Sequence, residues 1–325
     1  MMKMKIRKKT ILLAVLNLAA AAAIGIIAGL MYRYRDRPDN DPEGKGRLED
    51  RIAELAESLD ARVGVAAVCG DGSAVTYTDS GTDAAVFPML SVFKFHQALA
   101  VCDSLGRAGI PLDEKVTVTR RQLHGNTWSP LRDAHPDGGR FSYRELMEYT
   151  LVQSDNNACD ILFETVTSPY ETERYIHSAG FGDVRIECTE EMMHENLSDC
   201  YRNCTSPVSA ARLMAWFYSR RDSGPYSAFL WNTMSGCATG QSRIPKYISG
   251  KASAIAHKTG TGDVLPDGRI IGVNDLGLVE LPDGRYFAIA VFVSDAASTT
   301  QECEEFIALA AEAVYEYMAE ERIKG

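Results

Sequence analysis

The sequence predicts an α+β fold in which an antiparallel sheet, flanked by helices, contains a helical subdomain inserted between its second and third strands. Three observations support this prediction. Strand-like segments lie near both ends of the main body, they pair through hairpin turns, and the long stretch between them is typical of helices and loops. A chain of 325 residues with 46% hydrophobic residues has ample material for such a core.

The first elements of the body are a helix and a hairpin. Leu48–Leu59 has apolar residues at helical spacing. Val63–Val68 and Ser73–Thr78 favour strands, and the Gly-Asp-Gly turn at Cys69–Gly72 joins them. Residues 89–235 then favour helices and loops, so the two strands are separated from the rest of the sheet by a long insert.

Three further strands and a helix complete the prediction. Strand signals return at Ile255–Lys258, Asn274–Leu281 and Tyr286–Val293, and the turn Pro282-Asp-Gly284 links the last two as a hairpin. Gln301–Met318 is an amphipathic helix. The sheet therefore has five predicted strands.

The N-terminus predicts an export signal or a membrane anchor. Five basic residues precede a largely apolar run of 21 residues, Ile11–Met31, and three arginines follow it. The run is just long enough to span a bilayer. We therefore expect residues 1–37 to be a signal or anchor and residues 38–46 to be a polar linker. Either interpretation places the body outside the cytoplasm, in the periplasm or on the outer face of the cytoplasmic membrane, with membrane attachment left open.

We assign residues 47–325 to one catalytic body. Its α/β part covers about 47–87 and 236–325, and its all-α part covers about 88–235. Eight of the 34 basic residues but only one acidic residue lie in residues 1–37, so the remainder carries a formal charge of about −17. Nucleic acid is an unexpected partner for such a surface, because its binding depends on basic residues that neutralise phosphates.

The eight cysteines would permit disulfides in an exported protein, but the sequence does not reveal their pairing. Cys188, Cys200 and Cys204 lack the paired spacing of a zinc site, and the sequence contains no His-Glu-x-x-His motif. We therefore predict neither a metal nor a cofactor.

Three short motifs predict a serine acyl-transfer site: Ser91-Val-Phe-Lys94, Ser154-Asp-Asn156 and Lys258-Thr-Gly260. Each has an ordinary alternative, since either serine could simply cap a helix and the third motif could be a strand that ends in a turn. The order and spacing of the three motifs together favour a catalytic site over these ordinary alternatives. If Ser91 opens a helix, Lys94 lies one turn later on the same face and can accept the hydroxyl proton.

The combined motifs resemble the penicillin-interacting serine enzymes, and most closely the class A β-lactamases, over roughly residues 47–318. The resemblance implies a five-stranded antiparallel sheet, an all-α part and a site between them. It also implies that Ser91 is the nucleophile and that Ser154 passes a proton to the leaving nitrogen. Asn156 would bind the substrate's side-chain amide and orient Lys94. The backbone N–H groups of Ser91 and Thr261 would form the oxyanion hole.

A glutamate distinguishes hydrolysis from permanent acylation, because water needs a general base to clear the acyl group. The family spacing of 36 residues from Ser154 leads to Glu190. Glu191 is its main competitor, ahead of Glu187 and Glu195, and an acidic surface loop is the ordinary alternative. Whether Lys94 or Glu190 is the base for acylation stays open.

The loop around the glutamate departs from the common class A pattern. His194 stands where an asparagine is usual, and Cys188 and Asn203 replace the usual Arg–Asp pair. This pattern resembles the extended-spectrum cephalosporinase branch. We hypothesise that His194 helps to position the hydrolytic water.

The substrate's carboxylate requires a cationic docking site. Lys258 supplies one charge, and Thr259 and Thr261 would add hydroxyl contacts. Thr239-Gly-Gln-Ser-Arg243 resembles the segment of class A members that contributes a carboxylate-binding arginine, so Arg243 is the second candidate. Arg269 is the runner-up, and a solvated surface arginine is the ordinary alternative.

Trp128 matches the aromatic residue that lines the entrance of the active site in this family, although a tryptophan can equally be a packing residue.

The predicted function is hydrolysis of the β-lactam ring of penicillins or cephalosporins by an exported, monomeric enzyme that confers antibiotic resistance. A D-alanyl-D-alanine carboxypeptidase and a penicillin sensor that stays acylated are the alternatives.

Overall fold

The computed structural model describes residues 44–82 and 85–324. The predicted signal or anchor at residues 1–37, and most of the predicted linker, lie outside the described residues. Within the described ranges, none of the helices has the length and apolar character needed to cross a bilayer.

The described residues form nine strands and ten α-helices. The strands are β1 (Arg62–Cys69), β2 (Ala74–Thr78), β3 (Phe87–Pro88), β4 (Lys115–Thr119), β5 (Gly138–Ser142), β6 (Cys204–Thr205), β7 (Ala254–Thr261), β8 (Ile270–Glu280) and β9 (Tyr286–Ala296). The helices are α1 (Gly44–Ala56), α2 (Phe93–Ala108), α3 (Pro130–Ala134), α4 (Tyr143–Val152), α5 (Asn156–Thr165), α6 (Pro169–Ser178), α7 (Glu190–Glu195), α8 (Pro207–Tyr218), α9 (Pro225–Ser235) and α10 (Thr300–Lys324).

The main sheet has five antiparallel strands in the order β2-β1-β9-β8-β7. This confirms the predicted α+β class and the five-stranded sheet with helices inserted after its second strand. Two small strand pairs, β3–β6 and β4–β5, were not predicted; β4, β5 and β6 lie within the insert, and β3 directly precedes it. The alternating β-branched residues of β4 were the available signal for one of them.

Side chains alternate between two hydrophobic cores, one on each face of the sheet. In β1, Val65 and Ala67 belong to the core that also contains residues of α1 and α10. Ala66 and Val68 belong to the core formed with α2, α8 and other helices of the insert. This alternation follows from the two-residue period of a strand. The edge strand β7 packs beside the turn that leads into α2, and the candidate site lies where these elements meet.

All eight cysteines lie in the described part of the chain and are buried, and the seven other than Cys69 are free thiols.

Candidate active site

Ser91 and Lys94 lie where the chain enters α2. Ser91 occupies a 3-10 turn, Leu90–Val92, immediately before the α-helix rather than inside its first turn. Val92 is the N-cap residue of α2 and makes no side-chain capping bond, so Ser91 is not the helix cap. The Lys94 side chain is completely buried.

The segment before Ser91 is held against the sheet by Asn274. The Asn274 amide donates to the carbonyl oxygens of Pro88 and Met89 at 2.8 and 3.2 Å, and its own oxygen accepts the Val293 N–H at 3.2 Å. Leu90 adopts a left-handed backbone with φ of 50°, an unfavourable conformation for a residue with a β-carbon. The surrounding hydrogen bonds therefore hold the nucleophile's turn in a defined, strained conformation.

The Lys94 ammonium is surrounded by acceptors from the other motifs. Its Nζ donates to Asn156 Oδ1 at 2.5 Å and to the Ser154 carbonyl oxygen at 2.8 Å, and it lies 3.5 Å from Ser154 Oγ. It also forms an ion pair with Glu190 Oε1 at 3.0 Å. The fold therefore brings the first two motifs and the predicted glutamate to one buried amine.

The Glu190 carboxylate is also adjacent to the nucleophile, since Ser91 Oγ donates to Glu190 Oε1 at 3.2 Å. Glu190 begins α7, and Thr189 caps that helix by accepting the Met192 N–H. The competing residue, Glu191, turns away from Ser91 and pairs with His124 at 3.0 Å. Of the two glutamates, only Glu190 meets the serine.

Asp160 of α5 fixes the backbone at this point and was not predicted. Its two carboxylate oxygens accept the N–H groups of Glu190 and Glu191, each at 2.8 Å. Burial, together with the negative charge of Glu190, raises the pKa of Asp160 to about 7. The sequence offered no specific signal, because a single aspartate in a helix is common.

Ser154 lies between α4 and α5, but Asp155 rather than Ser154 caps α5. The Asp155 carboxylate accepts the Ala158 N–H at 2.8 Å. Ser154 itself has a left-handed backbone, with φ of 58°, and its Oγ accepts from Lys258 Nζ at 2.9 Å. The Ser154 hydroxyl is therefore placed between two lysine amines.

Lys258 lies on β7, as the sequence predicts, and its side chain is completely buried. Its Nζ also donates to the Thr259 carbonyl oxygen at 2.9 Å. Burial, together with the charge of Lys94, lowers the pKa of Lys258 to about 7. Its charge therefore changes near neutral pH.

The two candidate arginines lie in very different surroundings. Arg243 is buried, and its Nη2 donates to Thr261 Oγ1 at 2.7 Å. Its Nε pairs with Glu304 at 3.1 Å, and Arg243 contacts the cavity wall through Thr261 without lining the cavity itself. Arg269 instead pairs with Asp60 at 3.2 Å and does not line the cleft.

A cavity of about 540 Å³ opens above these groups. Its lining residues come from the nucleophile's turn, the loop before α3, α5, α7, the segment after α7, and the end of β7 with the two residues after it: Leu90, Ser91, Gly125, Asn126, Thr127, Trp128, Asn156, Glu190, Met193, His194, Cys200, Thr261, Gly262 and Asp263. The volume is within the range of small-molecule sites.

Two entrance residues lie at the mouth of this cavity. The Trp128 side chain is 62% exposed, and its indole N–H donates to the Gln153 carbonyl oxygen at 2.9 Å. His194 is exposed and lies one turn of α7 beyond Glu190.

Thr127, which was not predicted, accepts a hydrogen bond from Asn156 Nδ2 at 2.6 Å and thereby fixes the amide group that meets Lys94.

Thr259 does not line the cavity. Its Oγ1 lies 2.7 Å from Thr239 Oγ1, which links β7 to the loop after α9. The fold therefore gathers Ser91, Lys94, Ser154, Glu190 and Lys258 into one hydrogen-bonded cluster and leaves Thr259 at its edge.

Comparisons with known proteins agree with this geometry. A family model described as the beta-lactamase enzyme family matches residues 47–318. A beta-lactamase from Bacteroides uniformis is 38% identical over 277 residues, which cover 83% of this chain and 91% of that protein. The extended-spectrum beta-lactamase PER-1 from Pseudomonas aeruginosa is 36% identical over 234 residues, 71% of this chain and 75% of that protein.

Solved structures show the same similarity. The TLA-3 extended-spectrum beta-lactamase has a TM-score of 0.80 at 35% identity, covering 84% of this chain and 99% of that chain. A class A beta-lactamase from Bacteroides cellulosilyticus also has a TM-score of 0.80 at 35% identity, with coverages of 86% and 99%. The chain therefore belongs to the beta-lactamase family and is a class A serine beta-lactamase.

Proposed function

We propose that this enzyme hydrolyses the amide bond of β-lactam antibiotics through an acyl-enzyme on Ser91 and thereby confers resistance. One observation supports this most strongly: a single carboxylate oxygen of Glu190 lies 3.2 Å from the Ser91 hydroxyl and 3.0 Å from the Lys94 ammonium. A carboxylate beside the acylated serine is what a water molecule needs in order to attack the ester.

Acylation begins when Ser91 Oγ attacks the lactam carbonyl carbon. The serine proton goes either to Lys94 in its neutral form or to Glu190 acting through water, and Glu190 Oε1 links the two because it lies 3.2 Å from Ser91 Oγ and 3.0 Å from Lys94 Nζ. The backbone N–H groups of Ser91 and Thr261 would stabilise the oxyanion. Ser154, held between Lys94 and Lys258, would then pass a proton to the departing ring nitrogen. These steps need no cofactor.

The substrate's carboxylate would meet the positive end of the cleft. Lys258 supplies a charge close to Ser154, and Thr261 presents a hydroxyl that is held by Arg243. We propose that Thr259, which lies on the same strand as Lys258 and Thr261, adds a hydroxyl contact to the substrate's carboxylate. Its hydroxyl is held by Thr239, whose Oγ1 lies 2.7 Å away. The hydrogen bond of Arg243 to Thr261, which lines the cavity, favours Arg243 over Arg269 as the second cation.

At the other end of the cleft, Asn156 would bind the substrate's side-chain amide and Trp128 would cover its apolar part. His194 lines the cavity one helical turn after Glu190, which is consistent with a role in positioning the hydrolytic water. Its replacement by alanine should slow deacylation, and an unchanged deacylation rate would contradict this role.

Hydrolysis can be tested with the Glu190→Gln variant and a chromogenic cephalosporin. The wild type should complete many turnovers. The variant should open no more than about one equivalent of the lactam and then stop, because the neutral amide cannot act as the base for deacylation. If Lys94 is the base for acylation, this equivalent appears as a burst and the acyl group is detectable on Ser91 by mass spectrometry.

Glu191→Gln is the matched control, because its carboxylate faces His124 rather than Ser91. It should retain turnover within a few fold of the wild type. A wild-type burst that stops after one equivalent would favour the carboxypeptidase or the sensor, and full turnover by Glu190→Gln would refute the assignment of the base.

We further propose that the body has an α/β part and an all-α part with the boundaries given above, and that it acts as a monomer outside the cytoplasm. The basic and apolar composition of residues 1–37 supports export, with cleavage and membrane anchoring as the two outcomes to separate. Cell fractionation with N-terminal sequencing separates them, and gel filtration of the exported form tests the monomer.

A further inference from the structure

One wall of the active-site cavity is an irregular loop, Gly125–Trp128, which supplies four consecutive lining residues. The loop lies between the 3-10 turn Arg120–Gln122 and α3, and it belongs to neither a strand nor a helix. Gly125 and Asn126 are exposed to solvent. The ladder of a sheet or the bonds of a helix therefore do not fix this wall, and its shape depends on hydrogen bonds from side chains around it.

Arg132 of α3 reaches back to this loop. Its Nη1 donates to the carbonyl oxygens of His124 and Thr127 at 2.7 and 2.8 Å, so one nitrogen bridges the loop from end to end. The neighbouring Asp133 orients the guanidinium from its other edge, since Asp133 Oδ1 accepts from Nε at 3.1 Å and from Nη2 at 2.8 Å. Hydrogen bonds from a charged donor are stronger than those between neutral groups, so the loop is closed firmly around one cation.

The short helix that carries Arg132 is itself fixed to the second motif. The buried Asp155 carboxylate accepts the Leu131 N–H at 2.6 Å, and both of its oxygens lie 3.0 Å from the Ser129 hydroxyl, which donates to them. Ser129 Oγ in turn accepts the Arg132 N–H at 3.1 Å and caps α3. The arginine therefore extends from a rigid base, which lets its side chain determine where the loop lies.

The loop passes this constraint on to Asn156. Thr127 Oγ1 accepts from Asn156 Nδ2 at 2.6 Å, while Asn156 Oδ1 accepts from Lys94 Nζ at 2.5 Å, so the two ends of the amide are held by different partners. The Asn156 N–H also donates to the Trp128 carbonyl oxygen at 3.0 Å. When Arg132 releases the Thr127 carbonyl, Thr127 can shift, and the Asn156 amide loses the bond that fixes its Nδ2 end.

We propose that Arg132 is a positioning residue that sets the preference of this enzyme for β-lactams with a side-chain amide. The inference rests on the proposed function, in which Asn156 binds that amide. Arg132 is not among the described residues that line the cavity, so it acts on the substrate through Thr127 and Asn156. Lys94 keeps its bonds to the Ser154 carbonyl oxygen and to Glu190 when the loop moves, so a substrate without the amide depends little on Arg132.

The test compares the full chain with its Arg132→Met variant, which keeps an unbranched side chain but removes every donor. Two substrates are used: a 7-acylamino cephalosporin, and 7-aminocephalosporanic acid, which has the same nucleus without the side-chain amide. We expect kcat/KM for the first to fall at least about tenfold, the effect of about one lost hydrogen bond, and kcat/KM for the second to change less than about threefold. A loss of folded enzyme alone would lower both values equally.

Further variants make the assignment specific. Arg132→Lys should recover part of the loss, because an ammonium can donate to both carbonyl oxygens but lacks the fork that Asp133 orients. Thr127→Val removes the acceptor for Asn156 directly and should show the same amide-selective loss. The double variant should lose little more than either single one, because both changes act on one contact. Arg140→Met, which removes an exposed arginine on β5, is the matched control and should leave both kcat/KM values within about twofold.

Hydrogen exchange of the free enzyme measures the loop without any β-lactam. In Arg132→Met, peptides that cover residues 124–128 should exchange at least about fivefold faster than in the wild type, because the loop opens locally more often. Peptides from β8 and β9 should exchange as in the wild type, which shows that the variant is folded. If Arg132→Met does not fold, Arg132→Lys and Thr127→Val provide the same comparison of substrates.

Equal losses of kcat/KM on the two substrates, or no loss on either, would overturn the proposal for folded Arg132→Met. Additive losses in the double variant with Thr127→Val would overturn the route through Thr127, and unchanged exchange of residues 124–128 would overturn the hold of Arg132 on the loop. Failure of the wild type to turn over either cephalosporin would contradict the proposed function alone, because hydrogen exchange tests Arg132 independently.

Discussion

Asp160 offers the sharpest test of how the enzyme positions its proposed base. The Asp160→Ala variant removes both acceptors for the Glu190 and Glu191 N–H groups, which lie 2.8 Å from the carboxylate. It leaves the Glu190 side chain itself intact. The variant therefore separates the presence of the base from its placement.

Two opposing terms determine the effect on stability. At pH 8 the rise in the Asp160 pKa from 3.8 to about 7 means that the carboxylate costs about 4 kcal/mol in the folded state. Removing it recovers this cost but leaves two N–H groups without acceptors, at about 1–3 kcal/mol each. The free energy of unfolding should thus change by no more than about 2 kcal/mol, which corresponds to a Tm shift within about 8 °C.

Activity should respond far more strongly than stability. Without its backbone anchor, Glu190 no longer stays beside Ser91, and kcat should fall about tenfold to a hundredfold, as a displacement of about 1 Å can cause. Steady-state hydrolysis of a chromogenic cephalosporin and thermal unfolding at pH 8 measure the two effects. Glu164→Ala, which removes an exposed carboxylate one turn further along α5, should leave kcat within about twofold. A kcat for Asp160→Ala as close to the wild type as that control would refute the reasoning.

Three further perturbations have expected outcomes. Because the pKa of Lys258 is about 7, its amine loses its charge above that pH, so kcat/KM for carboxylate-bearing substrates should fall as the pH rises from 7 to 9, and Lys258→Arg should flatten that limb of the pH profile. Gly260→Ala should slow the acylation burst at least about tenfold, because its β-carbon would lie 2.5 Å from the Met89 carbonyl oxygen and push the nucleophile's turn away; Gly250→Ala, in open space, should not. Burial lowers the pKa of His96 to about 4, so the unfolded chain binds more protons between pH 6.5 and 4, and the wild type should lose about 3 kcal/mol of stability as the pH falls through that range. His96→Leu should abolish this loss in denaturant titrations, and an unchanged pH slope would contradict it.

Much of the fold was predictable because local patterns coincide with the tertiary arrangement. The hairpin turn at Pro282-Asp-Gly284 and the alternating strands around it led directly to β8 and β9. The short pair β3–β6 was not predictable, since strands of two residues have no periodicity of their own and exist only because the fold brings them together.

The candidate site, like the fold, was only partly predictable from the sequence. Motif spacing selected the residues that meet at Lys94, but their individual roles remain predictions until the variants are measured. Asp160 and Thr127 were missed because they act by holding other residues in place, and no local pattern distinguishes such an aspartate or threonine from a surface one.

By itself the sequence determined the α+β class, the order of the strands and helices along the chain, and membership of the serine β-lactamases, because these depend on periodicity and on motifs that are local in the chain. The tertiary structure decided which of two adjacent glutamates meets Ser91 and which side chains hold that glutamate and Asn156 in place. Hydrogen-bond distance and burial determine such pairings, and both arise only when segments far apart in the chain pack against each other.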